Sequence, residues 1–172
     1  MDALRLRLAT AADAPAIRDI YNHYVAGSTC TFQVEPVTLD ERLAWLAAHG
    51  PAHPVIVAES AAAAGGEAVA DVVGWASLSP WSERCGYGGT VEASVYVRHD
   101  HLRAGIGTAL LADAIARARE LGHHVVIGGA SSDQTASLAL QESFGFTAVA
   151  HFREVGFKFG RRLDVIYMQL IL

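Results

Sequence analysis

The amino-acid sequence predicts a mixed α/β (α+β) fold, one domain over residues 1–172 with a single mixed central β-sheet flanked by helices. Three observations carry this expectation. Apolar or alternating stretches of strand length recur along the whole chain. Stripes of helical period with capping signals fall between them. Hydrophobic residues make up 52% of the 172, enough for one sizeable core.

"LRLRLAT" alternates Leu and Arg and reads as a half-buried strand. Thr10 and Asp13 then stand at capping-box spacing ahead of a helix whose stripe is Ile17, Ile20, Tyr21 and Tyr24. Thr38 and Glu41 repeat the cap before a second helix with Leu39, Leu43, Trp45 and Leu46. "PVIVAES" is a buried strand, "AAAAGGEA" a flexible hairpin tip and "VADVVGWASLSPW" the returning strand. The turn-rich loop "WSERCGYGG" leads into the strand "TVEASVYV". A glycine loop and long helix follow, apolar at Leu110, Leu111, Ala114, Ile115, Ala118 and Leu121 and stopped by Gly122. "HVVIGGA" is a strand, "TASLALQES" a short helix closed by Gly145, and "FTAVAHFREVG" and "LDVIYMQLIL" are the last two strands.

The bulk numbers exclude several function classes. A net charge of −5 lacks the basic footprint of a nucleic-acid binder. No stretch approaches the ~20 apolar residues of a membrane span, and the N-terminus has no signal-peptide core, so a cytoplasmic protein is expected. Two cysteines, Cys30 and Cys85, are too few for a disulfide framework or zinc site and read as reduced thiols. The histidines, among them His99, His101, His123 and His124, complete no metal site and read as solvated loop residues.

"RAGIGT", residues Arg103, Ala104, Gly105, Ile106, Gly107 and Thr108, sits at a helix start, where free N–H groups and the helix dipole suit a phosphate. It is not a Rossmann fingerprint, whose third glycine would fall on Leu110, nor a Walker loop, since no lysine ends it. A plain strand-to-helix turn is the other reading of these residues alone.

The order strand "SVYV", loop "RAGIG", long helix resembles motif A of the GCN5-related N-acetyltransferases (GNATs), read as Gln/Arg-x-x-Gly-x-Gly/Ala. Leu102 stands at the first motif position, with Arg103 one place on. "IRDIYNHYVAGSTCTFQVEPVT", "WASLSPWSERCGYGGTVEASVYV" and "QESFGF…REVGFKFGRRLDVIYMQL", in that order, resemble the phosphinothricin and methionine sulfoximine acetyltransferase branch. The resemblance implies a GNAT fold, acetyl-CoA as co-substrate with its pyrophosphate on the loop amides, and N-acetylation of a small amino-acid-like substrate without metal. A non-catalytic acetyl-CoA-binding module and a protein N-terminal acetylase are the alternatives. It also implies a two-fold dimer through the C-terminal part.

Residue by residue, the resemblance makes Glu92 the general base, although on the residues alone a solvent-facing strand-end glutamate fits as well. Backbone N–H groups of Val95, Tyr96 and Val97 would serve the oxyanion and pair with the pantetheine arm; the Tyr96 side chain reads as packing. Gln134 and Ser137 would reach the cofactor; Gln134 replaces a family asparagine and Gln141 a family histidine. Phenylalanines fill the place where many members have a tyrosine acid, so no acid is named. Trp81, Ser82, Arg84 and Tyr87 of "PWSERCGY", with Phe32 and Ser94, are expected at the substrate. Arg84 would offer a planar fork to a carboxylate or phosphinate; a surface arginine and a core phenylalanine are the plainer readings of Arg84 and Phe32. The final strand, apolar on both faces, must be covered inside the sheet or by a second subunit.

Overall fold

A computed structural model describes residues 4–61 and 70–172 of the chain. The expected hairpin tip "AAAAGGEA" lies almost wholly outside the described residues. Seven strands form one sheet in the order β1-β2-β3-β4-β5-β7-β6: Leu4–Leu8, Val55–Ala61, Ala70–Pro80, Thr90–Val97, Val125–Ser131, Thr147–Lys158 (β6) and Arg161–Ile171 (β7). Only the β4–β5 pairing is parallel; the others are antiparallel. Among the described residues four α-helices cover the sheet, α1 Ala14–Gly27, α2 Leu39–Ala48, α3 Ile106–Glu120 and α4 Thr135–Ser143.

Both predicted capping boxes form. The Asp13 carboxylate accepts the Thr10 N–H at 2.7 Å, starting a short 3-10 turn before α1, and Glu41 accepts the Thr38 N–H at 2.7 Å. Gly122 and Gly145 end their helices at φ of 78° and 86°, in the left-handed region.

Strand alternation sorts the core into two layers. Gly74, Ala76 and Leu78 of β3 and Val91 of β4 face α3, whose Leu110, Leu111, Ala114, Ile115 and Ala118 are buried against them. A Cβ on Gly74 would stand 3.0 Å from Leu110, so α3 lies directly on the strand. The opposite face carries Trp75, packed with Ile17 and Ile20 of α1. Glu92, Ser94 and Tyr96 of β4 project to that same side, as the two-residue repeat requires.

Several expectations need correction. Leu121 ends the α3 stripe but is exposed, because the helix stops there. On α2 the buried residue is Arg42, while Leu43, Trp45 and Leu46 are only half-buried. His123 is not a solvated loop residue: it is buried and its Nε2 lies 2.8 Å from the Ala52 carbonyl oxygen. Of the two covers expected for the apolar final strand, the sheet itself supplies one: β7 lies between β5 and β6, and β6 is an edge strand. Phe159 and Gly160, at φ of 51° and 73°, make the tight turn that returns β7 along β6.

Candidate active site

The helix start of α3 is built as a donor cradle. Arg103 and Gly105 both adopt left-handed backbone, φ 63° and 78°, and no side chain caps the helix. The first helical bond runs from the Ala109 N–H to Gly105, leaving the N–H groups of Ile106, Gly107 and Thr108 without a partner inside the helix. An L-residue held at positive φ in an exposed loop is a local cost, consistent with a loop shaped for a ligand.

Beside this cradle the sheet opens. β4 pairs with β5 only over Thr90, Val91 and Glu92. Past Glu92 the strands separate, and β5 remains held by β7 from the other side. The backbone groups of Ala93–Val97 that point away from β3 therefore face a cavity of about 590 Å³. Its wall brings together Glu92, Ser94, Val95, Tyr96, Val97, Arg103, Gly105, Ile106, Gly107, Thr108, Gln134 and Ser137 from the sequence expectation, joined by Tyr24, Cys30 and Gln141. Ala104 belongs to the same exposed loop.

Glu92 sits at the mouth of the split, the last paired residue of β4. Burial raises its carboxyl above the ordinary glutamate value. Its oxygen would lie 3.6 Å from a Cβ on Gly129, and the Tyr167 ring presses the same glycine from β7. Burial and the Glu92 charge together raise the Tyr167 phenol. Tyr167 escapes the sequence reading because only the β5–β7 register, Gly129 opposite Tyr167, brings it here. Trp81 packs edge-on against this ring at 5.4 Å.

The remaining substrate-side residues scatter more widely. Arg84 and Tyr87 are exposed, and the Ser82 hydroxyl accepts the Arg84 N–H at 3.3 Å, which shapes the loop locally. Phe32, an exposed side chain, packs its ring against Gly156, where any Cβ would run into it. Tyr96 stacks on Trp75 at 4.7 Å, and burial raises its phenol far above the tyrosine range.

A polar latch fixes the far wall. Asp133 accepts hydrogen bonds from Thr29 at 2.8 Å and Ser131 at 2.7 Å, and Arg161 pairs with it at 2.5 Å. Burial alone would raise this carboxyl, but these donors hold it down at about 2. Gln134, the residue capping α4, donates to Thr29 at 2.7 Å, so its amide is oriented from α1's end. Gln141 crosses over Gly128 with its buried Oε1 unpaired. A buried acceptor left without a partner is a local cost that packing over Gly128 imposes. Tyr24, which donates to the Val97 carbonyl, fixes the free end of β4 and is thereby committed. Among the described residues no group of His, Cys, Asp or Glu could hold a metal.

A second large cavity, about 620 Å³, lies between β1, α2 and the end of α3, walled by Leu8, Leu43, Leu46 and Leu121. It shares no residue with the cradle.

Known proteins fit this geometry. The Acetyltransferase (GNAT) family model matches residues 17–146. The chain is 41% identical over 170 residues to the L-amino acid N-acyltransferase MnaT of Escherichia coli, covering 98% of this chain and 94% of that one. It is 40% identical to the L-methionine sulfoximine/L-methionine sulfone acetyltransferase of Salmonella typhimurium, with 98% and 95% covered. A Salmonella typhimurium acetyltransferase solved with its cofactor acetyl-CoA superposes at a TM-score of 0.90 with 41% identity, covering 99% and 95%. A Brucella melitensis structure named ribosomal-protein-alanine N-acetyltransferase superposes at 0.88 with 39% identity, covering 98% and 99%. A helix-start cradle, a split between parallel strands and a carboxylate at the split are thus found in a chain that belongs to the GNAT acetyltransferase family.

Proposed function

We propose that this acetyl-CoA-dependent N-acetyltransferase acetylates the α-amino group of a small amino acid of the methionine sulfone, methionine sulfoximine or phosphinothricin type, with Glu92 as general base. The observation that carries the reading is Glu92 itself: part-buried, raised in pKa, free of any ion pair among the described residues, and placed where β4 leaves β5 beside the cradle. Acetyl-CoA supplies the thioester carbonyl. The loop amides after Gly105 hold its pyrophosphate, and Arg103 supplies a cation at the rim. Gln134 and Ser137 would meet the pantetheine arm, which would lie beside the free edge of Val95–Val97.

Glu92 takes the proton that the incoming amine sheds, directly or through one water, and its raised pKa suits that task near neutral pH. Backbone N–H groups of the free β4 segment aim at the oxygen where negative charge develops. No side chain is assigned as acid, because a coenzyme A thiolate leaves readily. Ser94 lines the cavity itself, and Phe32, Trp81, Ser82, Arg84 and Tyr87 would complete its amino-acid side.

The test is release of free thiol from acetyl-CoA with a panel of L-amino acids, methionine sulfone among them, in competition with excess L-methionine. Turnover with at least one small amino acid is expected, and none on any small amine would contradict the reading. The Brucella relative's name favours a second reading, a protein N-terminal amine, so an alanine-terminated peptide belongs in the same panel. The dimer also belongs to this proposal. The β6 edge exposes Phe152, Val155 and Phe157, and a two-fold partner covers them. Light scattering should give twice the 18.3 kDa chain mass; a single chain mass would refute the dimer.

A further inference from the structure

Helix α2 buries an arginine that no carboxylate among the described residues neutralises. Arg42 is 5% exposed, and it is the buried residue of its helix. Its guanidinium carbon lies 4.6 Å from the ring centres of Tyr21 and Trp45 and 5.6 Å from that of Trp75. Nε has no hydrogen-bond partner, and no carboxylate among the described residues forms an ion pair with the side chain. Glu41 stands next to it but is turned away, its Oε2 held by the Thr38 N–H and hydroxyl. Aromatic faces offset part of the cost of burying a cation, yet arginine stays charged and its Nε–H remains unmet. Buried charges are ordinarily paired.

The space in front of it indicates which anion. Arg42 walls a chamber of about 260 Å³ together with Ser77, Ser94 and Tyr96, and Glu41, its Oε2 committed to Thr38, stands at the same wall. Ser94 and Tyr96 also wall the acetyl-transfer cavity, so the two spaces meet at β4. Ser94 is one strand repeat beyond Glu92 on the same face, a step of roughly 6.5–7 Å. Ser77 lies directly opposite Ser94 in the β3–β4 register and adds a second hydroxyl. In an α-amino acid the amine and the carboxylate hang on one carbon. A base and an anion receptor a strand repeat apart on one face therefore match that substrate class.

We propose that Arg42 is the receptor for the α-carboxylate of the amino-acid substrate, with the Ser94 and Ser77 hydroxyls beside it. This rests on the amino-acid acetylation reading and deepens it. Arg84, on an exposed loop, is then left for the far end of the side chain.

The test is a binding cycle that needs no turnover. Dissociation constants for L-methionine sulfone and for its α-carboxamide are measured with coenzyme A present, reading the fluorescence of Trp45 and Trp75 and checking by calorimetry. The native protein should bind the acid at least ~30-fold more tightly than the amide, the scale of a buried charge-assisted pair. Arg42→Met should abolish that ratio, and Arg42→Lys, which keeps the charge without the fork, should retain part of it. Arg42→Met should melt no lower than the native protein when no ligand is present, because it removes an unpaired buried charge. An acid-to-amide ratio unchanged by Arg42→Met, or absent in the native protein, overturns the assignment, including the case where the side-chain oxyanion is what Arg42 holds. Arg42-dependent binding of the acid without acetyl transfer would leave this site standing and defeat the proposed reaction. Acetyl transfer with an unchanged ratio would do the reverse.

Discussion

Replacing Glu92 by glutamine tests two consequences of one buried carboxylate. Glutamine keeps the shape and removes both the charge and the basicity, and no ion pair is broken because Glu92 has none among the described residues. Removing a general base typically lowers the rate by ~10²–10⁴-fold, or about 2.7–5.4 kcal/mol of transition-state stabilisation. The acidic limb of the kcat/KM profile, set by a carboxyl above the ordinary glutamate value, should vanish with it. Stability should move the other way. A carboxyl whose folded pKa lies above its unfolded pKa binds protons better when folded, so its ionised form costs stability at pH 7. That cost is fully present above the folded pKa and gone below the unfolded one. Glu92→Gln should therefore melt at or above the native temperature at pH 7, and the difference should close as the pH falls through that window. Initial rates, the acetyl-CoA dissociation constant and calorimetric melting at several pH values check this. A variant that keeps most of its rate and its acidic limb would remove Glu92 from the role of base.

Two further substitutions probe the walls of the site. Lys158 is buried at the end of β6 and donates to the Ser28 and Thr31 carbonyls at 2.7 and 2.8 Å, closing the C-terminal end of α1. Lys158→Met should cost about 2 kcal/mol, the scale of charge-assisted bonds left unmade, and lower the melting temperature by roughly 4–8 °C; an unchanged transition would contradict that bracing role. Gly156→Ala forces the Phe32 ring off its seat, so the Michaelis constant for the amino acid should rise while acetyl-CoA binding stays as it was. Equal loss of both affinities would show a general disturbance instead.

Much of the cradle was legible because its signals are local. A glycine at a helix start, a capping box, and a two-residue repeat that puts Glu92 and Ser94 on one face are each visible within a few residues of sequence. The hidden parts depend on pairings far apart in the chain. The insertion of β7 between β5 and β6, and with it the approach of Tyr167 to Gly129, is a matter of sheet order. The latch between Thr29 and Asp133 joins residues 104 positions apart. Arg42 was masked differently. Within "LDERLAWLAA" the leucines carry the apolar pattern, and an arginine between them reads as a solvated face. Three aromatic rings gathered from α1, α2 and β3 bury it instead.

The central claim is that one cavity joins the thioester to an amino acid's nitrogen, and product identity tests it most directly. The purified protein is incubated with acetyl-CoA carrying an isotopically labelled acetyl group and with L-methionine sulfone, and both products are followed by mass spectrometry. Labelled N-acetyl-L-methionine sulfone should form in one-to-one proportion with free coenzyme A, and Glu92→Gln should lose both. Release of coenzyme A without labelled N-acetyl amino acid, or no reaction with any amino acid of the panel, would contradict it.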